Sequence, residues 1–478
     1  MAFWNRRKAI DVSEADRGRR LRPSLSWPHL VALGVGAIVG TGIYTLIGEG
    51  AARAGPAVIV SFAIAGAVCA CASLAYAEMA TMIPASGSAY TYTYAVLGEL
   101  AGWVIGWTLI LEYTVVCSAV AVGWAGYATG FLTGLGVHLP GVLTSGLASG
   151  GAVNLPAVLI TLAVAALLAA GTRESATVNA VLVALKIGAL LVFVAVAAPH
   201  FDPARFHPFM PYGFPAHDKA GMTRGVMGAA ALIFFAFYGF DAVSTAAEEA
   251  KNPARDLTIG IIGSMAICTF LYMVIAAAAL GSTPYPAFAA SRAPLAFVLE
   301  SLGHPNAARL IAGAAVVAIP TVILAFMYGQ SRIFFVMARD GLLPQIMSRV
   351  SARTGAPVIV TVFTAALVAL VAGVFPLGKI AEVANAGTLA AFVAVAVCML
   401  VMRRREPTRR RPFRAPVPWM VGPLAIAGCI YLFFSLAGIT REIFVAWNAL
   451  GLAAYFLYAR GHSRLGQAEA LGGKGKAV

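Results

Sequence analysis

The first long apolar segment of the chain contains a glycine-dense stretch, Gly34 to Gly48, with the sequence GVGAIVGTGIYTLIG. A membrane-crossing helix needs roughly 20 apolar residues and normally pairs every backbone N–H and C=O group within itself. Each of Gly36, Gly40 and Gly42 weakens such a helix by roughly 1 kcal/mol relative to alanine. We therefore expect this helix to break at mid-membrane, which leaves N–H groups of one half and C=O groups of the other unpaired.

Unpaired backbone groups inside a membrane are tolerated only where protein, water or a ligand satisfies them. The N-terminus of a half-helix suits a carboxylate, and free carbonyl groups suit an ammonium, so a break predicts a site for a zwitterion. The alternative is that the glycines only let neighbouring helices approach closely. Taken alone, the stretch leaves the two interpretations equally open.

Composition indicates the class of protein. Of the 478 residues, 60% are hydrophobic and 11% are charged, which is typical of a polytopic membrane protein. The net charge of +14 would suit a nucleic-acid partner, but the basic residues flank the apolar segments, where they set membrane topology. Residues 1–23 are charged and lack the apolar core of a signal peptide. The six cysteines lie in apolar segments, so we predict neither a disulfide framework nor a metal site.

Apolar runs of spanning length predict about twelve transmembrane helices. The runs cover roughly residues 30–52, 57–83, 100–132, 155–171, 177–198, 225–247, 259–281, 307–338, 358–375, 380–402, 419–438 and 443–459. Lysine and arginine are concentrated in the segments that would share one side with the termini. We therefore expect both termini in the cytosol and the protein in the plasma (inner) membrane, surrounded by the lipid bilayer.

A second interruption lies in the sixth run, where Gly239 precedes Phe240 and Asp241. An ionisable group at mid-membrane costs at least a few kcal/mol unless it faces a cavity or a partner. Five spans separate the two interrupted segments, so they enter the membrane from opposite sides. Such a pair indicates an inverted-repeat transporter with its site between the two breaks.

This pattern predicts how the chain is divided. The units are a cytosolic tail (1–28), a first repeat of five helices (29–198), an external loop (199–224), a second repeat of five helices (225–402), a basic inner loop with two additional helices (403–460), and a cytosolic tail (461–478). Residues 84–98 are expected to form a short amphipathic or re-entrant inner segment, and residues 201–224 a loop with little regular structure. We interpret the basic run 403–414 as a topology anchor, with a lipid-binding patch as the alternative.

Four longer motifs carry a resemblance to a known family. They are GAIVGTGIY (36–44), YAEMATMIPASGSAYTY (76–92), FFAFYGFDAVSTAAEEAKNP (234–253) and MYGQSRIFFVMARDGLLP (327–344). In these motifs the chain resembles the amino acid–polyamine–organocation (APC) superfamily, and within it the bacterial relatives of the cationic amino acid transporters. The resemblance implies an all-α membrane protein of the LeuT-type, or APC, fold. In this fold a five-plus-five inverted repeat has its first and sixth helices unwound at mid-membrane, and two additional helices follow.

The resemblance also implies which backbone groups would bind a substrate. They are the backbone of Gly40, Thr41 and Gly42 for its carboxylate, and the carbonyl groups of Ile38, Phe235 and Tyr238 for its ammonium. Phe235 would also cover the substrate from outside as a gate. For each of these residues, ordinary helix packing is the alternative interpretation.

Lys186 lies in the middle of the fifth apolar run, in the sequence VALKIGALL. An ammonium among apolar neighbours is desolvated, which favours its neutral form and lets it gain and lose a proton. Some relatives with this fold bind sodium between helices one, five and eight, and the resemblance implies that the Lys186 amine takes the place of that cation. Protonated Lys186 would then bond carbonyl groups of the broken first helix and release its proton inward. The alternative is a lysine that extends to the membrane surface.

Three further residues bear on substrate choice. Glu112 and Asp241 would lie near the substrate side chain, where they would pair with a basic side chain or compensate Lys186; the sequence leaves these roles open. Met327 on the eighth span would shorten the pocket and favour small or medium neutral amino acids such as alanine. Glu78, together with Glu248 and Glu249, is expected in gate or loop contacts.

The predicted function is proton-coupled uptake of neutral or cationic amino acids by alternating access, with amino acid and proton as partners and without a cofactor. An exchanger of amino acids, or of an amino acid for an amine, is the alternative. A membrane enzyme is a remote alternative, because the histidines lie almost entirely in loops or tails without metal-ligand spacing. Two breaks within spans also disfavour an open channel. Whether a small single-span partner protein binds is left open.

Overall fold

The computed structural model describes residues 4, 6–8, 25–84, 87–170, 176–219, 222–247, 250–349 and 358–467, with the backbone alone for 176–179. The first half of the chain is helical. Its α-helices are α1 (Trp27–Ile38), α2 (Thr41–Tyr44), α3 (Leu46–Ala54), α4 (Val58–Met82), α5 (Ser88–Val96), α6 (Glu99–Gly134), α7 (Leu155–Ala169) and α8 (Ala176–Ala197). Short 3-10 helices lie at Gly55–Ala57, Gly141–Leu143, Leu147–Ser149, Ala198–His200 and Pro203–Phe206.

The second half begins with two short antiparallel strands, β1 (His217–Lys219) and β2 (Met222–Arg224). Helices follow at α9 (Val226–Ile233), α10 (Phe240–Thr245), α11 (Pro253–Ser282), α12 (Tyr285–Ala289), α13 (Pro294–Ser301), α14 (Pro305–Ala318), α15 (Pro320–Arg339), α16 (Val358–Val374), α17 (Leu377–Arg405), α18 (Pro418–Phe434), α19 (Gly438–Ala454) and α20 (Arg460–His462). Further 3-10 helices lie at Phe234–Phe237 and Gln345–Ser348, and a π-helix at Tyr455–Ala459.

The helices correspond to the apolar runs of the sequence. Within the described residues, nine helical stretches are long and apolar enough to cross a membrane, and α7, α16 and α18 are shorter apolar helices. Together they cover the twelve predicted runs, so the chain is a polytopic membrane protein. The number of membrane crossings and the boundaries of the two repeats stay predictions.

Both predicted breaks are present. The first lies between α1 and α2, where Val39 and Gly40 leave the helical conformation and the chain resumes its helix at Thr41. In the second, α9 tightens into the 3-10 helix Phe234–Phe237, Tyr238 is extended, and α10 begins at Phe240. Gly239, at this break, has φ +116°, a left-handed conformation that glycine adopts without a steric penalty.

Described residues near the two ends of the chain meet at one end of the bundle, which we call the terminal face. The Lys8 Nζ atom donates hydrogen bonds to both carboxylate oxygens of Asp340, at 2.8 and 2.9 Å. The Arg464 N–H group donates to the backbone carbonyl of Asp340. Tyr90 of α5 also donates to the Asp340 carboxylate, at 2.8 Å. The predicted short segment at residues 84–98 is therefore a buried helix, α5, on the terminal face, with residues 85 and 86 outside the described residues.

The basic run 403–414 also lies on the terminal face, where Glu78 binds it. Glu78 is buried and accepts hydrogen bonds from Arg403 at 2.6 and 2.8 Å and from the Ala415 N–H group at 2.8 Å. The Arg411 guanidinium lies 3.3 Å from the same carboxylate. Burial lowers the pKa of Arg411 from its ordinary value, and the charge of Glu78 opposes that effect. Glu78 therefore makes the loop contact expected of it, while Glu248 and Glu249 lie outside the described residues.

The opposite face carries the loop at residues 201–224. The expectation of little regular structure in this loop is wrong in part, because β1 and β2 pair across it, with Asp218 opposite Thr223. The Thr223 hydroxyl group also donates a hydrogen bond to the Asp218 carboxylate, at 2.6 Å. A cross-strand hydrogen bond of this kind stabilises a short strand pair. Because it needs no alternation of apolar residues, the sequence shows no strand signal here.

Candidate functional site

The two broken spans touch each other at their breaks. A Cβ atom placed on Gly42 would lie only 2.4 Å from the Cα atom of Ala236, and one placed on Gly239 would lie 2.7 Å from the backbone of Ala37. A side chain at either glycine would therefore push the two spans apart. The glycines of the dense stretch thus permit both a break in the span and the close approach of a neighbouring helix, while the zwitterion site at the break stays a prediction.

Two carbonyl groups at the end of α1 receive hydrogen bonds from other spans. The Gly36 carbonyl accepts one from the Lys186 Nζ atom of α8, at 2.8 Å. The Ile38 carbonyl accepts one from the Tyr272 hydroxyl of α11, also at 2.8 Å. These carbonyls have lost their helical N–H partners at the break, and a carbonyl oxygen has two lone pairs, so Ile38 keeps capacity for one further donor.

The Lys186 side chain is fully buried among the first, fifth and eighth spans. Besides the Gly36 carbonyl, its Nζ atom lies 2.9 Å from the Thr321 hydroxyl oxygen of α15, and Thr321 in turn donates to the Ala318 carbonyl. The amine therefore points into the protein rather than toward the membrane surface. Its part in coupling stays a prediction.

The start of α2 is enclosed by α6. Thr41 is buried, and its hydroxyl group donates to the Val120 carbonyl at 3.4 Å. Gly123 makes room for it, since a Cβ atom there would lie 2.2 Å from the Thr41 methyl group. The first N–H groups of a helix lack partners within it and can bind an anion, and the binding of a carboxylate by the backbone of Gly40, Thr41 and Gly42 stays a prediction.

At the second break, aromatic rings and one amide hold the chain. The Phe235 and Tyr238 rings lie 5.0 Å apart, and both side chains are buried. The Tyr238 hydroxyl donates to the Asn385 Oδ1 atom of α17. The Asn385 Nδ2 atom donates to the carbonyl groups of Ala231, at 2.5 Å, and Leu232, at 3.1 Å. A single side chain thus bonds the last turn of α9 and the residue just before Gly239.

Asp241 lies in the first turn of α10. Its Oδ1 atom accepts the Gly239 N–H group at 3.2 Å, and its Oδ2 atom accepts the Tyr113 hydroxyl of α6 at 3.3 Å. A carboxylate at a helix N-terminus stabilises the helix through the unpaired N–H groups and the helix dipole. Asp241 therefore has a structural role in the break, with one donor on each of its oxygens.

Glu112 and Met327 lie on the two spans that flank Asp241. Glu112 of α6 is buried, and its Oε2 atom has no hydrogen-bond partner among the described residues. Met327 is buried on α15, next to Phe326, whose ring packs against Tyr113 at 5.3 Å between centroids. The structure thus gathers the predicted residues of the two breaks with Lys186, and places Glu112 and Met327 on the adjoining helices.

A cavity of about 190 Å³ lies between the first break and the opposite face. Its lining includes Thr45 and Glu49 from the second half of the broken first span. Arg292 closes one side, donating to the Thr144 carbonyl at 3.0 Å and to the Ser145 hydroxyl at 2.8 Å. The cavity therefore borders the part of the first span that follows its break.

Sequence reasoning missed three residues that hold the breaks: Tyr272, Thr321 and Asn385. Each is a polar side chain inside an otherwise apolar run, and polar groups at this depth in a membrane require a partner. That signal could have marked Asn385, in the run EVANAGTLAAF. It could not have shown which carbonyl groups the amide bonds.

Comparison with known proteins decides the family. The model of the amino acid permease family matches residues 25–458. The chain belongs to this family. The permease thus has the APC fold that its motifs indicate, and its two broken spans are those that the resemblance implies.

Relatives of this permease are named for different substrates. It is 45% identical to the branched-chain amino acid permease BcaP of Bacillus subtilis, over 97% of this chain and 99% of the relative. It is 41% identical to the methylthioribose transporter of the same organism, over 97% and 100%. It is 38% identical to the vacuolar cationic amino acid transporter 4 of Arabidopsis thaliana, over 84% and 67%.

Proposed function

We propose that this permease takes up neutral amino acids with apolar side chains by proton-coupled symport and alternating access. The observation that carries the proposal is the contact between the two breaks, with Lys186 bonded to the Gly36 carbonyl beside them. In this account the terminal face lies in the cytosol, as the distribution of basic residues favours.

The two breaks support a zwitterionic substrate. The backbone at Gly40, Thr41 and Gly42 offers N–H groups for a carboxylate, and the carbonyl groups of Ile38 and Phe235 lie across the contact between the spans. Each of those carbonyls accepts one hydrogen bond, from the Tyr272 hydroxyl at 2.8 Å and from the Tyr238 N–H group at 3.4 Å. A free lone pair on each oxygen is available to an ammonium.

Lys186 supports coupling to protons. A protonated amine donates to the Gly36 carbonyl and holds α1 against the fifth span, and the charge-assisted bond is stronger than one from a neutral donor. When the proton leaves, that hold weakens and α1 is free to move. Proton binding to Lys186 thereby favours the closed, loaded state, and bound substrate in turn favours proton binding by the same factor.

The residues near the substrate side chain favour a neutral substrate. Met327 presents an apolar side chain, and Asp241 bonds the Gly239 N–H group and the Tyr113 hydroxyl at the start of α10. The 45% identity to a branched-chain amino acid permease points the same way. Glu112, with its unpartnered oxygen, is the feature that a cationic side chain would use. The methylthioribose transporter among the relatives adds a neutral sugar, which lacks a carboxylate and an ammonium, to the substrates worth testing.

The test uses purified permease in proteoliposomes with an imposed pH gradient, acid outside. We expect accumulation of labelled leucine or alanine without internal substrate, competition by other neutral amino acids, and little competition by arginine. An exchanger would stall without internal substrate and work only in counterflow. Thermal stabilisation by a panel of ligands gives a second readout, because a ligand that binds only the folded state raises its stability. Stabilisation by methylthioribose but by no amino acid would overturn the zwitterion site.

A further inference from the structure

The two breaks are held in matching ways by the fifth and the tenth span. Helix α1 ends at Ile38, and Lys186 of α8 bonds the carbonyl of Gly36, two residues before that end. Helix α9 ends at Ile233, and Asn385 of α17 bonds the carbonyl of Ala231, again two residues before the end. Each broken span is thus bonded at the same place by a nitrogen from the last helix of its own predicted repeat.

The chemistry of the two nitrogens differs. The Lys186 amine changes its donor strength with its proton, whereas the side-chain amide of Asn385 carries the same two N–H donors at every physiological pH. Asn385 is fully buried and bonds three groups, namely the Ala231 carbonyl, the Leu232 carbonyl and the Tyr238 hydroxyl. Its hold on the sixth span therefore does not depend on a proton.

We propose that Asn385 is a positioning residue, which keeps the sixth-span break in one geometry while the first-span break moves. This inference rests on the proposed function. The amide joins the end of α9 to Tyr238, across the 3-10 helix that carries Phe235. The Tyr238 ring packs against the Phe235 ring at 5.0 Å. By fixing Tyr238, Asn385 therefore fixes the aromatic side of the substrate site.

Loss of the Asn385 amide would affect the sixth-span break and not the first. Without it, the buried Ala231 and Leu232 carbonyl groups lose their side-chain donor from α17, and the Tyr238 hydroxyl loses its amide acceptor. Buried polar groups left unsatisfied cost more than an average hydrogen bond contributes. We expect the 3-10 helix and Tyr238 to loosen, while the first break stays in place because Lys186 and Tyr272 hold it separately.

The experiment compares Asn385→Ala, Asn385→Gln and Tyr238→Phe with a matched control, Asn448→Ala. Asn448 of α19 makes the same kind of bonds away from the breaks, donating to the Phe444 carbonyl at 2.9 Å and accepting the Thr108 hydroxyl at 3.1 Å. Backbone hydrogen exchange of the full-length permease is measured by mass spectrometry. For Asn385→Ala we expect exchange in residues 226–245 to rise about fivefold or more, with residues 27–54 unchanged. Asn385→Gln, which keeps the amide, should recover part of the protection.

Binding of labelled leucine to the purified permease supplies the second readout. We expect Asn385→Ala to weaken binding by about five- to tenfold, Tyr238→Phe by less, and Asn448→Ala by no more than about twofold. Unchanged exchange in residues 226–245, or an equal rise in both broken spans, would overturn the inference. Exchange needs neither ligand nor gradient, so the inference is tested even if the wild type fails to accumulate leucine, which would instead contradict the proposed function.

Discussion

Gly42 and Ala236 bring the two broken spans into backbone contact, with only 2.4 Å between the Ala236 Cα atom and the position that a Cβ atom on Gly42 would take. The contact matters because substrate groups from both breaks have to converge on one small molecule. Glycine at this position permits the approach, and no other residue leaves the space empty.

Replacement of Gly42 by alanine tests this contact. The added methyl group meets backbone, which cannot move aside as the end of a flexible side chain can, so the spans separate and leucine binding falls by about tenfold or more. Gly263→Ala is the control, since its nearest neighbour would be a Val31 methyl group at an ordinary 3.6 Å. Equal binding by Gly42→Ala and the wild type would show that the breaks need not touch.

Replacement of Met327 by serine tests the depth of the pocket. A shorter side chain should enlarge it and raise uptake of leucine relative to alanine by roughly tenfold, the order of discrimination that an apolar pocket gives. Met337→Ser is the control, because Met337 is as buried on the same helix but lies against Gly106. Met337→Ser should lower the stability of the permease and leave the ratio of leucine to alanine uptake unchanged. An unchanged ratio in Met327→Ser would place that residue outside the pocket.

Replacement of Glu78 by glutamine tests the anchor of the basic loop. The change leaves the Arg403 and Arg411 guanidinium groups without their carboxylate, and breaking a buried ion pair is strongly destabilising. We expect the apparent melting temperature in detergent to fall by roughly 5 °C or more. Glu442→Gln, at an exposed carboxylate of α19, should leave it unchanged. A melting temperature equal to that of the wild type would show that the ion pairs of Glu78 contribute no more to stability than an exposed ion pair does.

The two breaks could be predicted from the sequence because their signals are local. Gly40 interrupts a helix by itself, and Gly239 next to Asp241 places a flexible residue beside a charge that the membrane interior would otherwise exclude. Lys186 was equally visible as an ammonium among apolar neighbours. Sequence spacing then predicts that the two breaks lie in oppositely directed spans.

The partners of these residues could not be predicted. Asn385 bonds Ala231 and Leu232 across more than 150 residues of chain, and Tyr272 reaches Ile38 from another span. Hydropathy gives the existence of each span but not its rotation or its neighbours, which packing between helices decides. For the same reason the sequence left the role of Asp241 open, whereas the structure shows it capping α10.

Replacement of Lys186 by methionine tests whether the Lys186 amine couples substrate movement to the proton. Methionine is unbranched and only one heavy atom shorter than lysine, and it removes the charge. Gradient-driven accumulation of leucine in proteoliposomes should be lost, with counterflow less affected, while Lys379→Met, at an exposed lysine of α17, should behave as the wild type. Acid-stimulated uptake by Lys186→Met at the wild-type level would show that the Lys186 amine does not couple transport to the proton.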